Sequence, residues 1–242
     1  MVNKTDKHPM TTYLNTYGED SATINGYTVQ IRHDEFAENP RKAFDPAGTL
    51  VFFNNPYSHR HDYTHLSDEH KTHTRNNYTR FDMLAEVCQY NQYEEDEKMG
   101  QEMPEEWHWM LMVARLNANY VVVGVDMRDY GGGNMRIYTS TPTTPDEWED
   151  NSTDGFIYKY VGADMMDTLG GDVERMLIAE IEKFEHWITG STWGFTIEKE
   201  GQDIDSCWGF YGDHDKSGLF DAIMHTVSPL TTTTDNRCEV KV

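Results

Sequence analysis

The arrangement that most restricts how this chain can fold lies between residues 172 and 212, where an amphipathic helix is followed by two strands sharing the tripeptide Trp-Gly-Phe. Val173, Met176, Leu177, Ile181, Phe184 and Ile188 recur at the spacing of one helical face, whereas Glu174, Glu182 and Glu185 fall mostly elsewhere. Asp172 is read as the N-cap and Gly190 as the stop just past the C-terminus. Trp193-Gly194-Phe195 and Trp208-Gly209-Phe210 then sit in β-favouring runs separated by Glu200-Gly201-Gln202-Asp203, which predicts a hairpin. With Glu200-Gly201 as a two-residue loop, Trp193 faces Trp208; a longer loop offsets the rings. Large aromatics beside glycines in strands build a core against a helix, so Trp193, Phe195, Trp208 and Phe210 are read as mainly structural. The alternative is a stacking platform for a ring-shaped ligand.

Residues 1–26 are polar and are expected to form a poorly packed lead-in to one domain spanning 27–227, with a frayed Thr-rich tail at 228–242. Strict alternation predicts a strand over 27–33, and apolar runs predict strands over 48–53, 120–125, 135–139 and 155–161. Helices are expected over 78–93, from Pro104 through Trp107, Met110, Leu111 and Ala114 to Leu116, and over 218–226. The acidic run Glu94-Glu95-Asp96-Glu97 after the first of these helices is read as a solvated end or loop, and 140–154, with the acidic cluster from Asp146 to Asp150, as a loop. No low-complexity linker splits the chain. The expected class is therefore α+β, a single domain built on a mainly antiparallel sheet with helices packed on one side.

Charge carries the functional information. The chain of 242 residues has 42 acidic against 20 basic side chains, a formal net of −22. Such a field repels phosphates, which argues against direct nucleic-acid binding. It also resembles what it repels. A compact chain of this length has a diameter of roughly 45 Å from a radius of gyration of about 18 Å, and duplex DNA of that length carries about 26 charges. Carboxylates grouped on one surface, with Glu94, Glu95, Asp96, Glu97, Asp146, Glu147, Glu149 and Asp150 as candidates, would present a DNA-like field to a basic partner. A plain solubilising role is the other reading of the same charge. There is neither a long apolar run nor a signal-peptide core, so a soluble, cytoplasmic protein without a membrane partner is expected. Three unclustered cysteines indicate no disulfide framework.

Two segments suggest a divalent metal. His59, His61, Asp62, His65, His70 and His73 concentrate imidazole and carboxylate without matching a specific metalloenzyme spacing. Asp213, Asp215, Ser217 and Gly218 match the first half of a calcium loop and Asp221 its ninth position, but Met224 stands where its bidentate glutamate belongs. No nucleophile has an adjacent base by spacing, so no catalytic residue is named and the expectation leans away from an enzyme.

Glu38-Asn39-Pro40-Arg41 followed by Gly48-Thr49, then Gly155-Phe156-Ile157-Tyr158, Trp187-Ile188-Thr189-Gly190 and Asp205-Ser206-Cys207-Trp208-Gly209-Phe210-Tyr211-Gly212, resembles in order a family of phage and mobile-element proteins of no assigned activity. The resemblance covers roughly residues 27–225 and implies origin rather than reaction. It makes an anti-defence inhibitor acting on a basic host protein in the host cytoplasm the leading expectation. A metal-binding module or metal-dependent enzyme and a virion assembly component are the alternatives.

Overall fold

Two turns with consecutive positive φ angles shape the first sheet. In the computed structural model, which describes residues 8–53, 66, 68, 80–130, 135–149 and 153–228, Asn25 and Gly26 adopt φ of 53° and 80°, and Glu200 and Gly201 adopt 52° and 76°. Two consecutive left-handed residues are the signature of the hairpin turn whose twist matches its strands. They join β1 (Asp20–Ile24) to β2 (Tyr27–His33) and β7 (Thr192–Lys199) to β8 (Gln202–Tyr211), giving an antiparallel sheet of order β1-β2-β7-β8. Val29, Ile31, Phe195 and Ile197 pack from this sheet with Leu219, Phe220 and Ile223 of α7 (Leu219–Val227). The segment expected to be a loose lead-in contributes to that core: Met10, Leu14 and Ile24 are at most 5 % exposed. Its polar composition is offset by the Asn-Gly turn, which folds a short strand back onto β2.

Packing divides the chain into two compact units, the first from residues 1–38 and 190–242 and the second from 39–189. The second is built on β3 (Thr49–Phe52), β4 (Tyr120–Asp129), β5 (Met135–Ser140) and β6 (Gly155–Tyr160), in the antiparallel order β3-β6-β4-β5. The α+β class and the antiparallel pairing stand as expected. Here helices line both faces. Val121, Val123 and Val125 meet α6 (Ala163–Ile188) through Val173, Leu177, Ile181 and Phe184. Val122 and Phe156 turn the other way, to α2 (Arg80–Val87), α4 (Glu105–Asn119) and α5 (Pro145–Glu149). A strand buried on both faces reads as a continuous apolar run, which is why the sequence of β4 showed no alternation.

The long helix differs from expectation at its start. It begins at Ala163, so Asp172 lies inside it and Gly170-Gly171 does not break it. Gly170 is buried, and a Cβ there would crowd Met166 Sδ of the preceding turn at 3.0 Å while meeting Val121 Cγ2 of β4 at an ordinary 3.9 Å. Met176 is 50 % exposed rather than part of the core face. Gly190, at φ 69°, follows the helix as expected.

Candidate functional site

The acidic candidates prove to be helical. Residues 92–99 form α3 (Gln92–Met99), started by Asn91, whose side chain accepts from Tyr93 N at 3.1 Å and donates to Glu94 Oε1 at 3.3 Å. Gly100, at φ 69°, closes it. In α5, Glu147 reaches back to the amides of Thr143 (2.7 Å) and Thr144 (3.1 Å), while Thr144 Oγ1 accepts from Glu147 N at 3.4 Å. That reciprocal capping holds the Glu147 carboxyl below its ordinary pKa, because both amides stabilise the anion. Both acidic runs, read as solvated loops, are thus short capped helices.

Both pack on α4. Asp96 accepts from Met103 N at 2.8 Å and lies 3.2 Å from His108 Nε2 at the start of α4. His108 Nδ1 is 2.9 Å from the Tyr90 hydroxyl. The series Tyr90, His108, Asp96 has the order of a nucleophile, base and orienting acid. Its hydroxyl is unsuited to that role: Tyr90 is buried, and desolvation, with nearby Glu95 and Asp96, pushes its pKa up to about 12. The three side chains lock α3 to α4. At the other end of α4, Asn117 Nδ2 donates to Thr143 O at 2.9 Å, and Trp148 of α5 is fully buried. Glu94, Glu97, Glu102, Glu105, Glu106 and Asp146 remain exposed around this helix. The acidic residues of 198–215 belong to the first unit.

The face of α4 turned to solvent carries most of the apolar residues by which its sequence announces the helix. His108, Trp109, Met112, Val113 and Leu116 are buried, whereas Trp107, Met110 and Leu111 are 48 %, 60 % and 42 % exposed. The period was legible and its phase was not, because this helix carries two apolar stripes.

Within the second unit a cavity of about 880 Å³ is lined by Arg41, Lys42, Thr49, Tyr158, Lys159 and Trp187, among others. Its polar floor is self-satisfied. Arg41, 8 % exposed, donates from Nε to Asp68 Oδ1 (3.0 Å), from Nη1 to Glu180 Oε2 (3.1 Å), and from Nη2 to Gly48 O (2.6 Å) and Asp68 Oδ2. Burial alone would lower the Arg41 pKa, but the two carboxylates outweigh it and the value is raised. Glu180 in turn accepts from the amides of Ala47 and Gly48, and Asp68 from that of Leu50 at 2.7 Å. Gly48 has no room for a side chain, since a Cβ would overlap Leu177. Arg41 and Gly48, singled out in sequence by resemblance, are therefore parts of one lock holding α1 (Pro40–Ala43) and β3 to α6.

The histidine-rich stretch with His59, His61, Asp62, His65, His70 and His73 lies outside the described residues, as does Asp150. The candidate calcium loop over 213–221 has carboxylates engaged in ion pairs. Asp213 pairs with Lys216 at 3.1 Å and Asp221 with His8 at 3.1 Å, so the proposed ligands turn to different partners. Among the described residues no three metal-binding side chains converge. In the hairpin, β8 carries irregularities opposite 193–195 and 197–198, so Trp193 pairs with Phe210 although Glu200-Gly201 is the two-residue loop. Trp193, Phe195 and Phe210 pack in the first core, while the Trp208 ring lies over Gly194, where a Cβ would overlap it.

His214 is the buried polar group the sequence did not reveal. It sits between Trp193 and Phe220, with Nδ1 2.8 Å from Asn15 O and Nε2 without a hydrogen-bond partner among the described residues. Burial lowers its pKa below the ordinary 6.5, against the opposing pull of Asn15 O and of Asp213, Asp20 and Asp215. The unfolded chain then binds the proton more readily than the folded one, so stability is full above about 6.5 and falls as pH drops through 6.5 toward the depressed folded value. Urea midpoints measured from pH 7.5 to 5 are expected to decline, and to decline less steeply in His214→Phe. An unchanged slope in that variant would exclude His214 as the cause.

No known protein family, no characterised protein and no solved structure matches the chain.

Proposed function

We propose that this chain acts by protein–protein association, presenting a negative surface that competes with a phosphate backbone for a basic host protein, as an anti-defence protein of phage or mobile-element origin would. The observation that supports this reading best is the acidic belt of α3 and α4: residues 94–106 hold seven carboxylates and one lysine. Asp96 fastens the α3 part of that belt to the start of α4. A rigid array of like charges is a costly arrangement for stability alone, and a basic partner relieves it. The net charge of −22 provides the long-range field for fast, salt-sensitive encounter.

The test is inhibition of DNA cleavage by nucleases of a host extract, across a salt series. Inhibition is expected at low salt, fading as ionic strength rises, and falling sharply when Glu94, Glu97, Glu105 and Glu106 are changed together to Gln. Absence of inhibition, or inhibition indifferent to both salt and the four substitutions, would remove the proposal.

A further inference from the structure

A phosphate mimic needs carboxylates and nothing else, yet the outward side of α4 carries Trp107, Met110, Leu111 and Ala114 at positions i, i+3, i+4 and i+7. That spacing makes one continuous stripe on the helix. The opposite stripe already fills the core, so this second one adds nothing to internal packing. Single exposed apolar residues are ordinary, but three large ones in register on one helix mark a surface that another molecule covers. We infer that this stripe is the docking face for a basic amphipathic helix of the partner protein. The inference rests on the acidic-surface reading and names the partner's shape as well as its charge.

The charges around the stripe say which occupant fits. At its N-terminal end stand Glu102, Glu105 and Glu106, all exposed, and Glu106 lies one turn before Met110. At its C-terminal end Arg115, also exposed, lies one turn after Leu111. A partner helix that buries Leu or Ile along Trp107, Met110 and Leu111 would set Lys or Arg against the glutamates and leave a neutral or acidic residue beside Arg115. Such i, i+3, i+4, i+7 anchoring is how an amphipathic helix enters an apolar groove. The flexible Met110 side chain adapts to a ring or branched residue. A second copy of this chain is disfavoured, since apposing two stripes would bring together two bodies of net charge −22.

The experiment uses the full chain and two synthetic peptides of equal length and composition, built from Leu and Lys. One is patterned as an amphipathic helix, and the other is scrambled to destroy that pattern. Calorimetric titration is expected to show the helical peptide binding at least tenfold tighter than the scrambled one. Met110→Ser with Leu111→Ser should weaken the helical peptide about tenfold, with the melting curve unchanged because both side chains are exposed. Glu102→Gln, Glu105→Gln and Glu106→Gln together should weaken both peptides. Equal affinity for the two peptides, untouched by the serine pair, would overturn the docking face and leave the acidic-surface reading standing. A helical peptide sensitive to the serines but indifferent to the glutamine triple would sink the charge component and that reading with it. A dimer that the serine pair dissolves would also overturn the inference, by showing that a second copy covers the stripe.

Discussion

Replacing Arg41 with Met is expected to cost the second unit about 3–5 kcal/mol, because it leaves two partly buried carboxylates facing each other without their cation. The side chain of Arg41 is 3 % exposed, while those of Asp68 and Glu180 are 24 % and 22 % exposed. The carboxylates meet no other cation among the described residues' ion pairs. Their remaining duties, accepting from Ala47, Gly48 and Leu50 amides, hold the start of β3 against α6. Removing the charge of the pair as well, in the triple variant Arg41→Met, Asp68→Asn, Glu180→Gln, should recover a good part of the loss, since neutral amides tolerate the site better than orphaned anions. Urea unfolding of the three proteins measures this directly. A loss below about 1 kcal/mol for the single change would mean the lock contributes no more than a surface pair does.

The second large effect is expected at Trp148. This indole is fully buried against Phe156, with ring centroids 6.2 Å apart and nearly perpendicular, and it is the anchor of a five-residue helix. Trp148→Ala should cost about 3–5 kcal/mol, the range for emptying a large aromatic site. It should also free residues 143–149 for cleavage by a Glu-specific protease. Trp148→Phe is expected to lose much less, because the indole N–H has no hydrogen-bond partner among the described residues and its removal relieves an unsatisfied donor. If Phe proves as damaging as Ala, the indole nitrogen holds a hydrogen bond in solution and the unsatisfied-donor reading fails. Since α5 carries exposed Asp146, the Ala variant should also weaken partner binding without any change of charge.

How much of this was legible in the sequence depended on whether a signal was local. The alternation of Tyr27–His33 named β2 to the residue, and the Pro104 boundary placed the start of α4 within one position. Other local signals are outweighed by the composition around them. Asn25-Gly26 is the strongest short-range hairpin dipeptide, and it sat inside a stretch judged by its polar composition. Asn91 with Glu94, and Thr144 with Glu147, are capping pairs that announce α3 and α5, but runs of carboxylates around them suggested solvated loops.

What could not be read was whatever depends on distant partners. Arg41 meets Glu180 across 139 positions of chain, and His214 meets Asn15 across 199. Nor could a sequence with two apolar stripes in α4 say which one the sheet would take. That choice is made by Val122 and Phe156 on the facing strands, and it left Trp107, Met110 and Leu111 outside. The acidic composition of the candidate surface was legible; its mixed acidic and apolar texture was not.

The division of the chain bears on how the molecule comes off the ribosome. Residues 39–189 emerge as one uninterrupted stretch containing every strand of their own sheet, so they can settle while synthesis continues. The β1–β2 ribbon has no such option: its neighbour β7 is made only after α6, and the α7 cover later still. A nascent chain whose Thr189 has just cleared the exit tunnel would therefore display a finished body preceded by a ribbon without its sheet neighbour, which makes the earlier-born ribbon the stretch that nascent-chain binders are left to guard.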